Sequence, residues 1–337
     1  MISPNDILLN GMALIRLENV GRRLDGKWAL WDVSIAVDRG DLLGILGRPG
    51  SGKTVLARVL AGLDYPAHGT ITRGDIPDAR SATSEQAIPE AQEHSQTATL
   101  PVNASLAFES PALATELTIY ENLALFASLW GTPKRTLARK IAFLLELVGL
   151  GSRHAARPGQ LSAGEARQAE IARALAAETP VTVIDCLTDA LDKQTLERLC
   201  NYMLAERRDR GRAFVLMTRS ARVAGLCGRT AVLHNGRIAF LGRPDDLRRL
   251  AGEDIVVLSE IRSPALRKRI EERLAVVIKE EDGFLSFRVA NGERMIADLL
   301  AEFGAEVGCV YLKRPTLDDA LDALAGGSSV AVASQAG

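Results

Sequence analysis

The sequence has little of what ties a protein to a membrane, a metal or a nucleic acid. No apolar run reaches the ~18–20 residues of a transmembrane helix, and the N-terminus lacks the positive start of a signal peptide. Its four cysteines have no metal-ligand spacing, which is typical of reduced thiols in a cytosolic protein. The formal net charge of −1 gives no electrostatic case for binding nucleic acid. We therefore expect any membrane process to be served from the cytosolic side, through a partner.

The length of 337 residues exceeds one compact core of ordinary size. We expect a large domain over residues 1–250 and a small one over 251–325, followed by a disordered Gly/Ser/Ala-rich tail over 326–337. Residues 77–99 are rich in Ser, Thr, Ala, Gln and Glu. This composition predicts a polar surface insertion, to which we assign no function.

A glycine-rich stretch fits the pattern G-x-x-x-x-G-K-[ST] at every fixed position. Glycines let the backbone curl so that its N–H groups point at phosphate oxygens, while Lys53 reaches the β- and γ-phosphates and Thr54 ligates Mg²⁺. An apolar strand at 42–46 and a helix at 55–63 flank the stretch. The alternative, a chance match in a turn, is disfavoured by these flanks. The candidate phosphate-binding residues are Gly47, Arg48, Pro49, Gly50, Ser51, Gly52, Lys53 and Thr54.

Alternating strands and helices predict an α/β core. Residues 14–40 alternate apolar and polar positions, which predicts antiparallel strands, and 118–150 are helical with a break at Gly131 to Pro133. Buried strands are predicted at 180–185, 214–218 and 230–234.

After Leu250 the order of predicted elements is β-α-β-β-α-β, which suggests a small ferredoxin-like α+β unit. Its hairpin is predicted from strands at 276–278 and 284–289, and a short amphipathic helix over 315–324 follows the unit.

Several further segments resemble the motifs of ATP-binding cassette (ABC) proteins. Leu161 to Glu165, before a helix at 166–177, resembles that family's signature, and Asp185 ends a strand as the Walker B aspartate does. Residues 188–192 resemble its D-loop, and residues 117–123 resemble the segment that introduces its helical region. Residues 14–245 are thus similar to a nucleotide-binding subunit.

This resemblance implies a P-loop ATPase fold with a RecA-like core, an antiparallel β subdomain and a helical subdomain over about residues 115–175. It implies ATP and Mg²⁺ as cofactors, with Asp185 holding the cation opposite Thr54. It also implies that Ser162 and Gly164 meet the γ-phosphate of an ATP held by a second ATPase subunit. A membrane-spanning transporter subunit would dock near residues 109–145, which places the chain at the cytoplasmic face of the membrane. The C-terminal unit, which ends in residues 313–321, resembles the extension of ABC-2-type exporters, including drug-resistance pumps, and this predicts an exporter.

The chain departs from the family at four positions. Cys186 replaces the glutamate that polarises the attacking water, and Arg219 replaces the switch histidine. Glu109 replaces the Q-loop glutamine but can still ligate Mg²⁺. Leu24 occupies the place of the aromatic that stacks on adenine, so stacking is lost unless Trp28 or Trp31 substitutes.

The residues that would bind Mg-ATP, which are Lys53, Thr54 and Asp185, are retained. The residues that would activate water are replaced by Cys186 and Arg219. Losing a general base typically lowers a rate by ~10²–10⁴-fold, so we expect Mg-ATP binding with slow hydrolysis at the chain's own site. The alternative is normal hydrolysis with nearby residues in these roles.

The expected function is the motor subunit of a membrane exporter. A second possibility is a catalytically degenerate regulatory or scaffold subunit, paired with an active ABC ATPase in a heterodimer. A third class, soluble ABC proteins of translation or DNA repair, usually carries two cassettes or long coiled coils, and the sequence shows neither.

Overall fold

The computed structural model describes residues 13–74, 104–185, 191–250, 252–261, 265–281, 284–304 and 306–325. The predicted insertion at 77–99, the predicted tail at 326–337, Cys186 and residues 188–190 of the D-loop-like segment lie outside these residues. The chain divides into two compact units between Arg243 and Pro244. The domain boundary expected after residue 250 lies one short helix beyond this division. The expected domain bounds stay predictions.

The first unit is built from strands and helices in alternation. Its described strands are β1 (Ala13–Leu24), β2 (Lys27–Asp38), β3 (Leu42–Leu46), β4 (His68–Arg73), β5 (Ala104–Ala107), β6 (Val181–Ile184), β7 (Ala213–Thr218), β8 (Arg229–His234) and β9 (Arg237–Gly242). Its described α-helices are α1 (Lys53–Leu60), α2 (Ile119–Leu129), α3 (Lys134–Leu147), α4 (Ala163–Ala176), α5 (Lys193–Arg210) and α6 (Ala221–Ala224). Short 3₁₀ turns occupy Gly151–Arg153 and Pro158–Gln160.

A six-stranded sheet of order β5-β6-β7-β3-β8-β9 forms the centre of this unit. Its strands are parallel except for β9, which pairs antiparallel with β8. Every residue of β3, β6 and β7 is buried, as expected for parallel strands covered on both faces. Because the strands are parallel, the segments that follow β3, β5, β6 and β7 all leave from one edge of the sheet.

A second sheet, of order β2-β1-β4, is antiparallel. This confirms the strands predicted over residues 14–40. The helices α2 and α3 confirm the predicted helical region and its break, because Gly131 has a φ of 82° and ends the first helix. In α2, Thr118 and Glu121 form a reciprocal capping box that fixes where the helix begins.

The second unit contains a four-stranded antiparallel sheet of order β11-β12-β10-β13, with helices between its strands. Its described elements are α7 (Pro244–Leu250), β10 (Asp254–Ile261), α8 (Leu266–Leu274), β11 (Lys279–Glu281), β12 (Phe284–Val289), α9 (Gly292–Phe303), β13 (Val307–Lys313) and α10 (Leu317–Ala325). From β10 to β13 the order is the predicted β-α-β-β-α-β. The α/β fold class with a small α+β ferredoxin-like unit is thus confirmed.

One predicted strand of this unit was wrong. We expected a strand at 276–278, but β11 lies three residues later, where Glu281 pairs with Phe284. Ile278 is buried in the hydrophobic core just before the strand. The apolar run therefore indicated burial and not the strand itself. Among the described helices, none combines the length and apolar character needed to span a bilayer.

Candidate functional site

The loop between β3 and α1 has a backbone shape that requires glycine. Gly50 and Gly52 have φ angles of 76° and 102°, in the region that residues with side chains rarely adopt. A Cβ on Gly47 would lie 2.5 Å from the carbonyl oxygen of Leu233, and one on Gly52 would lie 2.6 Å from that of Ala29. A Cβ on Gly50 would meet no atom within 4 Å. The helix begins at Lys53, two residues before the predicted start, because Gly52 is its N-cap.

The Lys53 ammonium lies against the oxygens of this loop. Its Nζ donates to the carbonyl oxygens of Gly47 at 2.7 Å and Arg48 at 2.8 Å, and to Ser51 Oγ at 3.2 Å. The side chain is largely buried. The loop therefore concentrates one positive charge beside the N-terminus of α1, where the helix dipole also favours an anion.

A cleft of about 540 Å³ opens beside the loop. The residues predicted from the sequence that line it are Leu24, Pro49, Gly50, Gly52, Lys53, Thr54, Glu109, Asp185 and Arg219. Trp28, named from the sequence as a possible substitute for the missing aromatic, also lines it, together with Ala29, Val55, Asn235 and Gly236. The structure thus brings the phosphate loop, the end of β6 and the segments after β5 and β7 to one place.

Sequence reasoning missed the turn at Asn235 and Gly236. Both residues have positive φ angles, 47° and 75°, and the turn joins β8 to β9. The N–H of Gly236 donates to the Ser51 carbonyl oxygen at 3.0 Å, and its own carbonyl oxygen accepts from the N–H of Trp31 at 2.9 Å. An Asn-Gly pair between two strands does predict a hairpin, but that signal does not reveal that the turn supports the loop.

Two carboxylates and a hydroxyl meet in the cleft. The Thr54 hydroxyl and the charge of Glu109 both act on the Asp185 carboxylate. Burial raises the pKa of Asp185, and the charge of Glu109 raises it further, whereas the Thr54 hydrogen bond and the charges of Arg167 and Lys53 lower it. A cation bound between the two carboxylates would favour the charged form of Asp185.

These oxygens suit a magnesium ion that is bound together with a nucleotide. Mg²⁺ prefers oxygen ligands and is usually held by one or two carboxylates plus substrate phosphates. No cluster of three or more His, Cys, Asp or Glu suited to a metal occurs among the residues that the structure describes. The donor set therefore fits a cation shared with phosphates rather than a cage made of protein alone.

Ser162 and Gly164 do not line this cleft. Ser162 is the exposed N-cap of α4, which begins at Ala163 rather than at the predicted Ala166. Its Oγ accepts from the N–H of Glu165 at 3.2 Å, and Glu165 accepts from the N–H of Ser162 at 2.8 Å. The hydrogen bond from the Ser162 N–H holds the pKa of Glu165 below its usual value. The helix therefore presents a preformed, exposed N-terminus.

One aromatic side chain, Trp28, lines the cleft together with Leu24. The Trp28 ring is 38% exposed, and its centroid lies 4.4 Å from that of Trp31 and 5.1 Å from that of His68. The Arg23 guanidinium lies over the Trp28 ring, 4.2 Å from its centroid. A flat ring thus lines the cleft, although Leu24 occupies the position expected for it from the sequence.

The comparisons with known proteins agree with this geometry. The profile of the family described as ABC transporter matches residues 30–188. The methionine import ATP-binding protein MetN of Ralstonia nicotianae is 34% identical over 285 residues, which is 80% of this chain and 77% of that protein. The protein of the same name from Cupriavidus necator is 31% identical over 279 residues, 77% of this chain and 76% of that protein.

Solved structures show the same fold. An ATP-binding subunit of an ABC transporter superimposes with a TM-score of 0.58 at 26% identity, covering 70% of this chain and 92% of that one. A dimeric ATP-binding cassette bound to ADP and Pi superimposes with a TM-score of 0.55 at 22% identity, covering 68% of this chain and 98% of that one.

The relatives overturn one expectation from the sequence. Residues 313–321 led us to expect an exporter, but both of these relatives are named as importer subunits. The exporter prediction is therefore wrong. It depended on a short C-terminal resemblance, whereas these relatives match more than three quarters of the chain. On this similarity and on the matching fold, the chain belongs to the ABC transporter family.

Proposed function

We propose that this chain is the ATP-binding subunit of an importer and that it holds Mg-ATP in the cleft beside its phosphate loop. The observation that carries the proposal is the meeting of Lys53, Thr54, Glu109 and Asp185 at one cleft. A cation, a hydroxyl and two carboxylates together suit a triphosphate with its magnesium. The importer direction follows the relatives named for methionine import, and methionine is the first cargo to test.

Each part of the cleft has a defined task in this proposal. The loop N–H groups and the Lys53 ammonium bind the phosphates. Thr54, Asp185 and Glu109 hold the magnesium, which offsets negative charge on the β- and γ-phosphates. Trp28 is the stacking partner of the base in this proposal, because it is the aromatic side chain that lines the cleft and stacking on a base needs a flat ring.

The exposed N-terminus of α4 serves a second subunit. Ser162 and Gly164 lie away from the chain's own cleft, so they contact a nucleotide that is held by another ATPase subunit. The N-terminus of a helix suits such a contact, because its free N–H groups and dipole attract phosphate. Closure of the two subunits on ATP would be transmitted to a membrane-spanning subunit, which places this chain at the cytoplasmic face of the membrane.

Hydrolysis at the chain's own site is proposed to be slow. Cys186 stands where the family has a glutamate, and a thiol orients water poorly because it is mostly protonated at neutral pH. Arg219 lines the cleft and offers a fixed positive charge, but it cannot accept a proton. A homodimer would carry these residues in both sites, whereas a heterodimer with an intact subunit would carry them in one.

ATP binding is tested by calorimetry with Mg²⁺ on the full chain. Wild-type protein is expected to bind, and Lys53→Ala to bind at least tenfold more weakly, because it loses the ammonium beside the phosphates. Lys134→Ala is the matched control, since Lys134 is an exposed lysine at the start of α3. A folded wild-type chain that takes up no ATP would refute the proposal.

Direction is tested with the co-expressed membrane subunit in proteoliposomes. With ATP on the side of this chain, labelled methionine is expected to move toward the nucleotide side. Lys53→Ala is expected to abolish this movement. Movement of substrate away from the ATP side would contradict the importer assignment, and movement of a different solute toward ATP would contradict only the cargo.

A further inference from the structure

Three charged side chains are buried along one side of α4. Arg167, Glu170 and Arg173 are 6%, 0% and 7% exposed, although such residues are seldom buried unless they are paired. They are spaced three residues apart, so they are neighbours on the helix surface. Their partners are backbone atoms of the two segments that carry Glu109 and Asp185.

Arg167 connects these two segments directly. Its Nη1 donates to the carbonyl oxygens of Phe108 and Glu109, and its Nη2 donates to the carbonyl oxygen of Asp185. The guanidinium is a planar, rigid fork whose donors have fixed relative directions. One side chain therefore bridges the backbone of Glu109 and that of Asp185.

Glu170 holds the same loop from a second point. Its Oε1 accepts from the N–H of Phe108 at 3.0 Å, and its Oε2 accepts from the N–H of Ala112 at 3.1 Å. Arg173 holds this carboxylate through its Nη2 at 2.6 Å and its Nε at 3.0 Å, and also donates to the Leu106 carbonyl oxygen. The buried negative charge is thus paired and its two oxygens are oriented.

These contacts matter because Glu109 lies outside regular structure. β5 ends at Ala107, so no strand ladder positions the following residues. Asp185, in contrast, follows β6 immediately, and its N–H donates to the Ala107 carbonyl oxygen at 2.9 Å. The position of Glu109 relative to Asp185 is left to the side chains of α4.

We propose that Arg167 and Glu170 are positioning residues that set the separation of the Glu109 and Asp185 carboxylates for a shared magnesium ion. The proposal rests on the proposed function, because it needs Mg-ATP in the cleft. Neither residue lines the cleft. Both hold the two segments through backbone hydrogen bonds, and Arg167 also acts on Asp185 through its charge, which Arg167→Lys retains. Losing such an outer partner typically lowers metal affinity by ~10–100-fold.

The test measures how much magnesium strengthens ATP binding. The ATP dissociation constant is determined by calorimetry with excess Mg²⁺ and again with EDTA. The magnesium ratio, which is the constant in EDTA divided by the constant in Mg²⁺, isolates the contribution of the metal. Arg167→Lys keeps the charge but loses the fork. It is expected to lower the ratio about tenfold, while the dissociation constant in EDTA stays within about twofold. A purely structural role would change both constants together.

Arg212→Lys is the matched control. Arg212 is also a buried arginine, and its Nε and Nη2 donate to the Thr179 carbonyl oxygen and to Thr182 Oγ1 near the opposite end of β6. Arg212→Lys therefore removes a comparable guanidinium contact at the other end of β6 and leaves the contacts of Glu109 and Asp185 unchanged. The magnesium ratio of this variant is expected to match the wild type. An equal fall of the magnesium ratio in Arg167→Lys and Arg212→Lys would overturn the proposal.

A second readout does not depend on Arg167→Lys being folded. In the wild type, the amide protons of Phe108 and Ala112 are expected to exchange slowly with solvent, because Glu170 accepts both. Glu170→Gln places an amide group where Oε2 accepts, and is expected to speed exchange at Ala112 and lower the magnesium ratio. Fast exchange at both amides in the wild type would overturn the proposal.

The two proposals fail in different ways. A folded wild type that binds no ATP refutes the proposed function. A wild type that binds ATP with a clear magnesium ratio, together with an Arg167→Lys variant of unchanged ratio, refutes only the positioning role.

Discussion

Gly50→Ala separates the shape of the phosphate loop from its general stability. Gly50 has a φ of 76°, and an added Cβ would meet no protein atom within 4 Å while lying on the wall of the cleft. Gly131, between α2 and α3, has a φ of 82° and equally open space, but it does not line the cleft. The two alanine variants thus carry the same backbone strain and differ in where the new methyl group lies.

The expected stability loss is small and shared. A left-handed conformation costs a residue with a Cβ about 1–2 kcal/mol, and a less flexible unfolded chain offsets about 0.4–1 kcal/mol of this. A net loss of about 1 kcal/mol lowers the melting temperature of a unit of this size by roughly 2–4 °C. Both variants are therefore expected to melt a few degrees below the wild type.

The expected loss of affinity is confined to Gly50→Ala. Its Cβ would occupy the space where the loop N–H groups approach phosphate. Losing one hydrogen bond to a charged group costs about 1.5–3 kcal/mol, which corresponds to roughly 10–100-fold in the ATP dissociation constant. The assay is calorimetric titration with Mg-ATP at a temperature where both variants are folded. Equal affinities of Gly50→Ala and Gly131→Ala would refute the assignment of this loop to phosphate.

Three further outcomes are expected. Trp28→Ala weakens ATP binding by roughly 1–3 kcal/mol, whereas Trp28→Phe retains most of the affinity; equal binding by both, measured by calorimetry, would exclude base stacking on this ring. The pKa of Glu165 is held below its ordinary 4.5, so its capping contribution to stability is present above pH 4.5 and is lost as pH falls through the lower folded value. Glu165→Gln is expected to remove this part of the acid dependence of the melting temperature between pH 7 and pH 3. An unchanged acid dependence would contradict the capping role of Glu165. Cys186→Glu is expected to raise ATP turnover by about 10²–10⁴-fold; turnover that stays at the wild-type rate, measured as phosphate release, would place the cause of slow hydrolysis elsewhere.

Local patterns in the sequence predicted the glycine-rich loop and most of the strands. Glycines at 47, 50 and 52 followed by Lys53 and Thr54 predict a phosphate loop, because few backbone shapes need glycine at such spacing. The order of apolar runs predicted the central strands and the four-stranded unit. Both signals are local, so they can be read from neighbouring residues alone. The direction of transport cannot be read from a local pattern, and the resemblance at 313–321 led to the wrong prediction of an exporter.

The sequence by itself determined which residue types stand at the ends of β3, β6 and β7, and therefore the chemistry available there. Only the tertiary structure decided that the Asn235–Gly236 turn supports the phosphate loop, and that Arg167 and Glu170 bind the segment after β5 that carries Glu109. These contacts join residues 18 to 185 positions apart through side chain–backbone and backbone–backbone hydrogen bonds. A backbone acceptor has no sequence signature, because every residue carries one.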